Sequence, residues 1–420
     1  MALLPVDDAL RRLLDTASRL PAEAVPVAEA AWRVLATDLR ALRTQPPFTA
    51  SAMDGYAVRA ADIAALPAFL DVVAEIPAGT VHHGSIGPGQ AARIFTGAPL
   101  PDGADTVLLQ EDTRAAGPGR VEALEATALG RHVRAAGLDF RDGDLLLRAG
   151  RILDPAALSL AAAANHARID VVCRPLVALL ATGDELLPPG SSLGPGQIIA
   201  SNSYGVAALA SADGARTLDL GIAPDRREAI ADAVQRARAV GASVIVTLGG
   251  ASVGDHDLVR EVLTGLGMEL DFWKIAMRPG KPLMVGRLGE THVLGLPGNP
   301  VSSLVCAHLF LRPLLARLAG REYRPDIRDA ILGSGMKAND QRRDYVRAAA
   351  FPGSAGLVAT PFDTQDSSML GTLAAANALI IREPHAPAAA QGAPCRVMMI
   401  RLPAVAATAQ RMRIEFSTKS

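Results

Sequence analysis

Lysine is nearly missing from this chain of 420 residues: of 42 basic residues only Lys274, Lys281, Lys337 and Lys419 are lysines. Such a bias toward arginine reflects the genome more than chemistry. The few lysines therefore stand out as candidates for tasks that suit a compact ammonium and not a planar guanidinium. An excess of either charge is also missing. The 42 basic residues face 43 acidic ones, for a formal net charge of −1, which leaves no electrostatic footprint for nucleic acid or for an anionic membrane surface and points to small ligands as partners. Cysteine is scarce. Cys173, Cys306 and Cys395 are widely spaced, odd in number and outside any CxxC pair, as expected of reduced core residues in a cytoplasmic protein. No apolar stretch is read as reaching transmembrane length. The opening MALLPVDDALRRLLDTA sets acids and arginines at helical spacing, so neither a signal peptide nor an anchor is expected.

What is present divides by texture, and the length implies two to four domains. Ala9, Leu10, Leu13, Leu14 and Ala17 fall on one helical face, and Val27 to Leu35 suggests a second helix. From Thr44 to about Arg134, short apolar runs alternate with Pro and Gly clusters, the signature of a small β domain. Helical signal returns at DPAALSLAAAANH, where Asp154 can cap and Pro155 suits the first turn. The expected organisation is an N-terminal helical layer split over 1–43 and 135–168, a β domain inserted at 44–134, and a doubly wound α/β domain at 169–320. A C-terminal β-barrel-like domain at 321–405 and a loose tail at 406–420 complete this multidomain α/β reading.

The strands of the α/β region end in unusual residues, where doubly wound sheets place their ligands. VALLA runs into TGDEL with Asp184 and Glu185, VIVTL into GGASVGDHD, and VLGL into PGNPVSS. Gly249 and Gly250 allow a sharp turn and a close approach of amides to an anion. Asp255 and Asp257 would repel a bare phosphate, so a phosphorylated ligand here requires a metal ion or a cation nearby. A tight turn followed by a helix cap at Asp255 reads the same stretch equally well. In PGNPVSS, Asn299 suits an N-cap, Pro300 the first helical position, and Ser302 and Ser303 add hydroxyls beside free amides. FWKIAMRPGKPLMVG brings Lys274, Arg278 and Lys281 into eight positions, fitting either a solvated basic loop or an oxyanion site.

TGDEL, GGASVGDHD, RPGKP and GLPGNPVSS, in this order and spacing, resemble the molybdopterin-binding domain of molybdopterin molybdenumtransferases. The resemblance extends upstream to PPFTASAMDGYAVR, IFTGAPLPDGADTV and VRAAGLDF, and covers nearly the whole chain; the gephyrin E domain shares the layout. It implies Mg2+-dependent insertion of molybdate into the dithiolene of adenylylated molybdopterin with release of AMP. A gephyrin-like scaffold or a molybdopterin adenylyltransferase is the alternative. By matching motifs, it assigns catalytic roles to Asp54, Thr96, Asp139, Glu185, Asp257 and Lys281, and metal ligation to Glu185, Asp225 and Asp257. Substrate binding is assigned to Gly249, Gly250, Ser252, Lys274, Arg278, Pro297, Asn299, Pro300, Ser302, Arg347 and Ser368, with Ser367 as an alternative to the last. It further implies a homodimer with shared sites, and admits the molybdopterin adenylyltransferase and downstream cofactor-maturation proteins as partners. The chain departs from the family pattern in two motifs: Ala200 and Ser201 stand where an acid is frequent, beside a retained Asn202, and Arg278 stands where many members read lysine.

Overall fold

The computed structural model describes residues 3–249, 257–354 and 356–401. The chain forms two compact units, one of Glu23–Val171 and one of Met1–Ala22 with Val172–Ser420. The expected tail at 406–420 lies outside the described residues.

The Glu23–Val171 unit is built on a six-stranded sheet ordered Thr106–Leu109, Gly55–Val58, Gln90–Ile94, Ala68–Ile76, Arg120–Ala123, Thr113–Ala115. Its pairings are antiparallel except that of Ala68–Ile76 with Gln90–Ile94. Successive residues serve opposite faces, as the two-residue period of a strand requires. Val107 joins Ala57, Ile76 and Ile94 in one apolar cluster, while Leu108 joins Val58, Leu70 and Val121 in another. Helix Pro155–Ala163 begins where expected: the Ala157 amide donates to the Asp154 carboxylate at 2.9 Å. The helix read at Val27 to Leu35 does not form. Only the 3-10 turn Val27–Glu29 is helical, Trp32 sits at φ 62°, and Val34 and Leu35 bridge to Ile152 and Val171. The β-branched valines there serve cross-chain pairing, which overrides a weak local helical pattern.

The second unit holds a six-stranded sheet ordered Arg216–Ala223, Leu176–Thr182, Val244–Leu248, Thr291–Leu296, Pro282–Leu288, Glu269–Lys274. The first four strands are parallel, and Pro282–Leu288 runs against both of its neighbours. Helices Asn202–Ala212, Arg227–Ala239 and Leu258–Gly265 alternate with the strands. All five residues of Val244–Leu248 are buried, as a continuous apolar run in a parallel sheet requires. Helix Val6–Asp15 differs from the expected grouping with 135–168, because Val6, Ala9 and Leu13 share the core of this unit with Phe310, Leu311 and Leu314. Pro300–Leu318 is long and apolar enough, by length and composition alone, to cross a membrane, contrary to the expectation that no stretch reaches that length. Its most apolar stretch is 78% buried inside the unit, so core packing accounts for its apolarity.

Toward the C-terminus, Arg343–Gly353, Gly356–Pro361, Ile327–Leu332, Pro394–Met399 and Ala378–Arg382 pair in that order, and the last returns to the first to close a five-stranded barrel. Small residues such as Ala348, Ala350, Ala359 and Ala378 fill its interior beside Leu332, Ile380 and Val397, as a narrow barrel demands. The short strand Met277–Arg278 adds to it in parallel, with Met277 opposite Arg343 and Arg278 opposite Asp344.

Candidate active site

The strand order reverses between Leu176–Thr182 and Val244–Leu248. Beyond the carboxyl ends of these strands and of Thr291–Leu296 opens a cavity of about 700 Å³, lined among others by Thr182, Glu185, Asp225, Gly249, Asn299 and Ser368. This is the place that a doubly wound sheet offers a ligand. Pro297 and Pro300 also line it. Two turns meet at its floor. The Asn202 side-chain Nδ2 donates to the Gly298 carbonyl at 2.7 Å, and a Cβ on Gly298 would stand 3.7 Å from the Gly249 Cα.

Gly249 is required for two reasons. Its φ is +101°, and a Cβ there would meet the Thr182 carbonyl oxygen at 2.8 Å. Gly249→Ala is expected to cost about 1–3 kcal/mol, the range for a strained left-handed residue. Denaturant unfolding checks this, and an unchanged midpoint would show that the turn relaxes freely. Asn299 occupies the N-cap position without capping. Its amide donates instead to the Ser367 hydroxyl at 2.8 Å, and the Val301 amide donates to the Ser367 carbonyl at 3.1 Å. Ser302 and Ser303 are buried, and Ser302 does not line the cavity, so the expected exposed hydroxyl is not supplied there.

Glu185 and Asp225 line the cavity, and Asp184 lies beside Asp225. The Asp225 amide donates to the Asp184 carboxylate at 3.1 Å. Burial, followed by the charges of Asp184 and Glu185, pushes the Asp225 carboxyl above its ordinary value. Asp257 is placed otherwise than expected. It caps helix Leu258–Gly265, accepting from the Arg260 amide at 3.0 Å, is buried, and does not line the cavity. Burial raises its carboxyl as well. Gly250, Ser252, Asp255 and His256 lie outside the described residues. Among the described residues no group of three or more His, Cys, Asp or Glu side chains is arranged to hold a metal ion. Mg2+ is commonly held by only one or two carboxylates together with substrate phosphates. Two cavity-lining carboxylates, one of them with its charge disfavoured, fit that arrangement and not a closed protein cage.

The cations divide sharply. Arg278 is engaged: its Nε reaches Asp344 at 3.0 Å, a second nitrogen also binds Asp344, and Asp340 lies at 3.6 Å. This departs from the expected substrate contact, because the guanidinium is already occupied by carboxylates. Lys274 stacks its ammonium 3.9 Å from the Trp273 ring centroid and does not line the cavity. Neither Lys274 nor Lys281 has a carboxylate partner among the described residues. Lys281 is exposed and adjoins cavity-lining Pro282. Arg347 is 1% exposed. Its Nη1 donates to the carbonyls of Asp366 at 2.8 Å and Met369 at 3.3 Å, and its Nε donates to Gln365 at 3.2 Å. Burial disfavours its charge, which the Asp366 carboxylate lies near enough to stabilise. Ser368, three residues beyond Gln365, reaches the cavity.

In the Glu23–Val171 unit, Asp54 and Thr96 come together although 42 residues apart: the Thr96 amide and hydroxyl both donate to the Asp54 carboxylate at 2.8 Å. These bonds, the backbone one foremost, hold the Asp54 carboxyl below its ordinary value. Asp139 is exposed in the turn that its amide closes on the Gln45 carbonyl at 3.0 Å.

Family models described as the MoeA N-terminal region (domain I and II), a probable molybdopterin binding domain and the MoeA C-terminal region (domain IV) match residues 4–165, 178–317 and 329–400. The curated molybdopterin molybdenumtransferase of Bacillus subtilis is 34% identical over 406 residues, covering 95% of this chain and 94% of that protein. The chain belongs to the molybdopterin molybdenumtransferase family. The Nostoc sp. member is 41% identical over 310 residues, covering 72% of this chain and 71% of its own. A structure titled as a molybdopterin biosynthesis MoeA protein from Pyrococcus horikosii matches with a TM-score of 0.81 at 30% identity, covering 95% of this chain and 99% of that one. Membership makes the chain a transferase of molybdenum cofactor biosynthesis.

Within this molybdenumtransferase framework, Ala200 and Ser201 both line the cavity, so the departure from the family's acid falls inside the site. One residue escaped the motif reading. Thr182 lines the cavity with a buried hydroxyl that has no partner, and the signal was the T of TGDEL, overlooked beside its acids. Ser367 and Ser368 are alternative candidates in the motif, and the structure gives them different places: Ser367 anchors Asn299, and Ser368 lines the cavity. Nothing local to QDSSML announces that contact.

Proposed function

We propose that this chain inserts molybdenum from molybdate into the dithiolene of adenylylated molybdopterin and releases AMP, with Mg2+ required, as a cytoplasmic homodimer. The observation that carries the reading is the switch-point cavity itself. It places the carboxylates of Glu185 and Asp225 and the residue Ser368 around one space, beside the segment that holds Arg347.

Gly249 and the Pro297–Pro300 turn leave room for a diphosphate against backbone amides. Glu185 and Asp225 would hold Mg2+, which when bound neutralises diphosphate charge and eases departure of AMP. Lys281, exposed beside the cavity, would hold the molybdate oxygens, Ser368 would orient them by hydrogen bonding, and Arg347 would position the Ser368 segment through its bonds to the Asp366 and Met369 carbonyls. Asp54, kept ionised by Thr96, is available to accept a proton from the water that cleaves the anhydride. Homodimer formation is supported by the loops bearing Asp54 and Asp139, where Phe48, Met53 and Leu138 are 42%, 41% and 65% exposed. Large apolar side chains of this kind suit coverage by a second copy. In the proposed assembly, Asp54 and Thr96 of one copy complete the cavity of the other.

The test is incubation with adenylylated molybdopterin, Mg2+ and molybdate while following AMP by chromatography. AMP release that requires both molybdate and Mg2+ is expected. Release at the same rate without molybdate would point to a simple hydrolase and overturn the assignment.

A further inference from the structure

Asp54 stands just before a middle strand, and the chain beyond both neighbouring strands reaches back to it. Gly55–Val58 lies between Gln90–Ile94 and Thr106–Leu109, with Gly55 opposite Ile94 on one side and Leu109 on the other. The fit is close there: a Cβ on Gly55 would meet the Leu108 carbonyl oxygen at 2.0 Å. Thr96, two residues past Ile94, donates its amide and hydroxyl to the Asp54 carboxylate, and the Gln110 amide, just past Leu109, donates to the Asp54 carbonyl at 3.3 Å. Arg93 ties these parts together. It stands opposite Tyr56 in the antiparallel pairing. One Nη donates to the Gly55 carbonyl at 3.0 Å, and the other donates to the Gln110 side-chain oxygen. Its guanidinium carbon lies 5.1 Å from the Tyr56 ring centroid and 5.0 Å from that of Phe95.

One side chain thus crosses the middle strand and touches the residue after Asp54, the residue before Thr96, and Gln110, which holds the Asp54 backbone. None of these partners is charged. We propose that Arg93 is a positioning residue for Asp54, which locks the strand ends carrying Asp54, Thr96 and Gln110 into one arrangement and does not itself touch the substrate. This rests on the reading of Asp54 as proton acceptor. A strand end lies beyond the last rung of the ladder, so its side chain is held only by what crosses to it. A planar fork suits that task, because it engages two acceptors at once and lies over aromatic rings, which a compact ammonium does less well. The charge has a second effect. The two Thr96 bonds do most to hold the Asp54 carboxyl below its ordinary value, and the nearby Arg93 charge lowers it further. A misplacement of about 1 Å in such a group is enough to cost on the order of 100-fold in rate.

The test reads Asp54 both by its chemistry and by turnover. Carbodiimide-driven amidation modifies a carboxyl in its protonated form, so its pH dependence at exposed Asp54, followed by peptide mass spectrometry in the intact chain, reports the ionisation of that group. Exposed Asp329 in the barrel serves as internal control. In Arg93→Gln the onset of labelling is expected to move to higher pH at Asp54 and to stay in place at Asp329. For AMP release, kcat is expected to fall roughly 10- to 100-fold with KM unchanged, and the acid limb of the rate profile to rise together with the labelling onset. Arg93→Lys keeps the charge and loses the fork, so its labelling should lie close to wild type while kcat stays reduced. Gln110→Ala removes one acceptor of the fork and is the second variant should Arg93→Gln fold poorly; its kcat is expected to fall by a smaller factor, again with KM unchanged. Wild-type labelling and kcat in Arg93→Gln would make Arg93 a strut of the sheet and overturn the proposal. A raised KM at unchanged kcat would also overturn it, by placing Arg93 on the substrate. Undiminished AMP release in Asp54→Asn would sink the proton-acceptor reading, and the labelling shift would still decide whether Arg93 positions Asp54.

Discussion

Asp54→Ala and Lys281→Ala homodimers, each expected to be nearly inactive, should recover up to about half of wild-type AMP release per dimer when co-expressed and isolated as heterodimers. The reason is the distribution of residues over the two units. Asp54 with its Thr96 partner belongs to the Glu23–Val171 unit, and Lys281 to the other. If a working site takes its first unit from one copy and its second from the partner, the heterodimer gathers both lesions into one site and leaves the other intact. If each site is built within one chain, every site in the heterodimer carries a lesion and mixing restores nothing. Either single variant should retain its fold, since Asp54 and Lys281 are both exposed. Heterodimers no more active than the parents, or a monomer by light scattering, would rule out the shared site.

Asp225→Asn is expected to reduce Mg2+-dependent AMP release on the order of 100-fold, the upper end of what loss of a supporting metal-site partner costs, while leaving the fold as stable as before or more so. Asp225 is pushed up first by burial and then by Asp184 and Glu185. A carboxyl whose folded value is raised favours the folded state when protonated, and that advantage is lost as pH rises through the raised value. At neutral pH the ionised Asp225 is therefore a strain that Mg2+ relieves and asparagine removes. The stability gain should shrink as pH falls into the carboxylate range, and thermal unfolding across pH reads it. A destabilised Asp225→Asn with full activity would reverse both parts, making the residue a structural acid. Excess chelator should match the variant's loss in the wild type.

Much of the site was legible in the chain. Strands ending in TGDEL, GG and PGNP reported where the cavity opens, because a buried parallel strand must be a continuous apolar run and polar residues can begin only where that run stops. Asp154 before Pro155 gave the helix start, since the capping bond spans three residues and is decided locally. Val27 to Leu35 misled for the converse reason. Its helical spacing was real but weaker than the pairing of Val34 and Leu35 with Ile152 and Val171, which no local window contains.

The sequence by itself determined the alternation of strands and helices, the glycine turns and the cluster of cations on one loop, all features set within a few residues by backbone sterics and side-chain period. Only the tertiary structure decided what each charged group does. Asp54 meets Thr96 across 42 residues, Asp257 is buried, and Arg278 is bound by Asp344 while Lys281, on the same turn, is not. An ionic group's role depends on its burial and on the charges within a few ångströms, and for Asp54 and Arg278 those neighbours come from distant parts of the chain, through the strands of one sheet and through the pairing of Met277–Arg278 with the barrel.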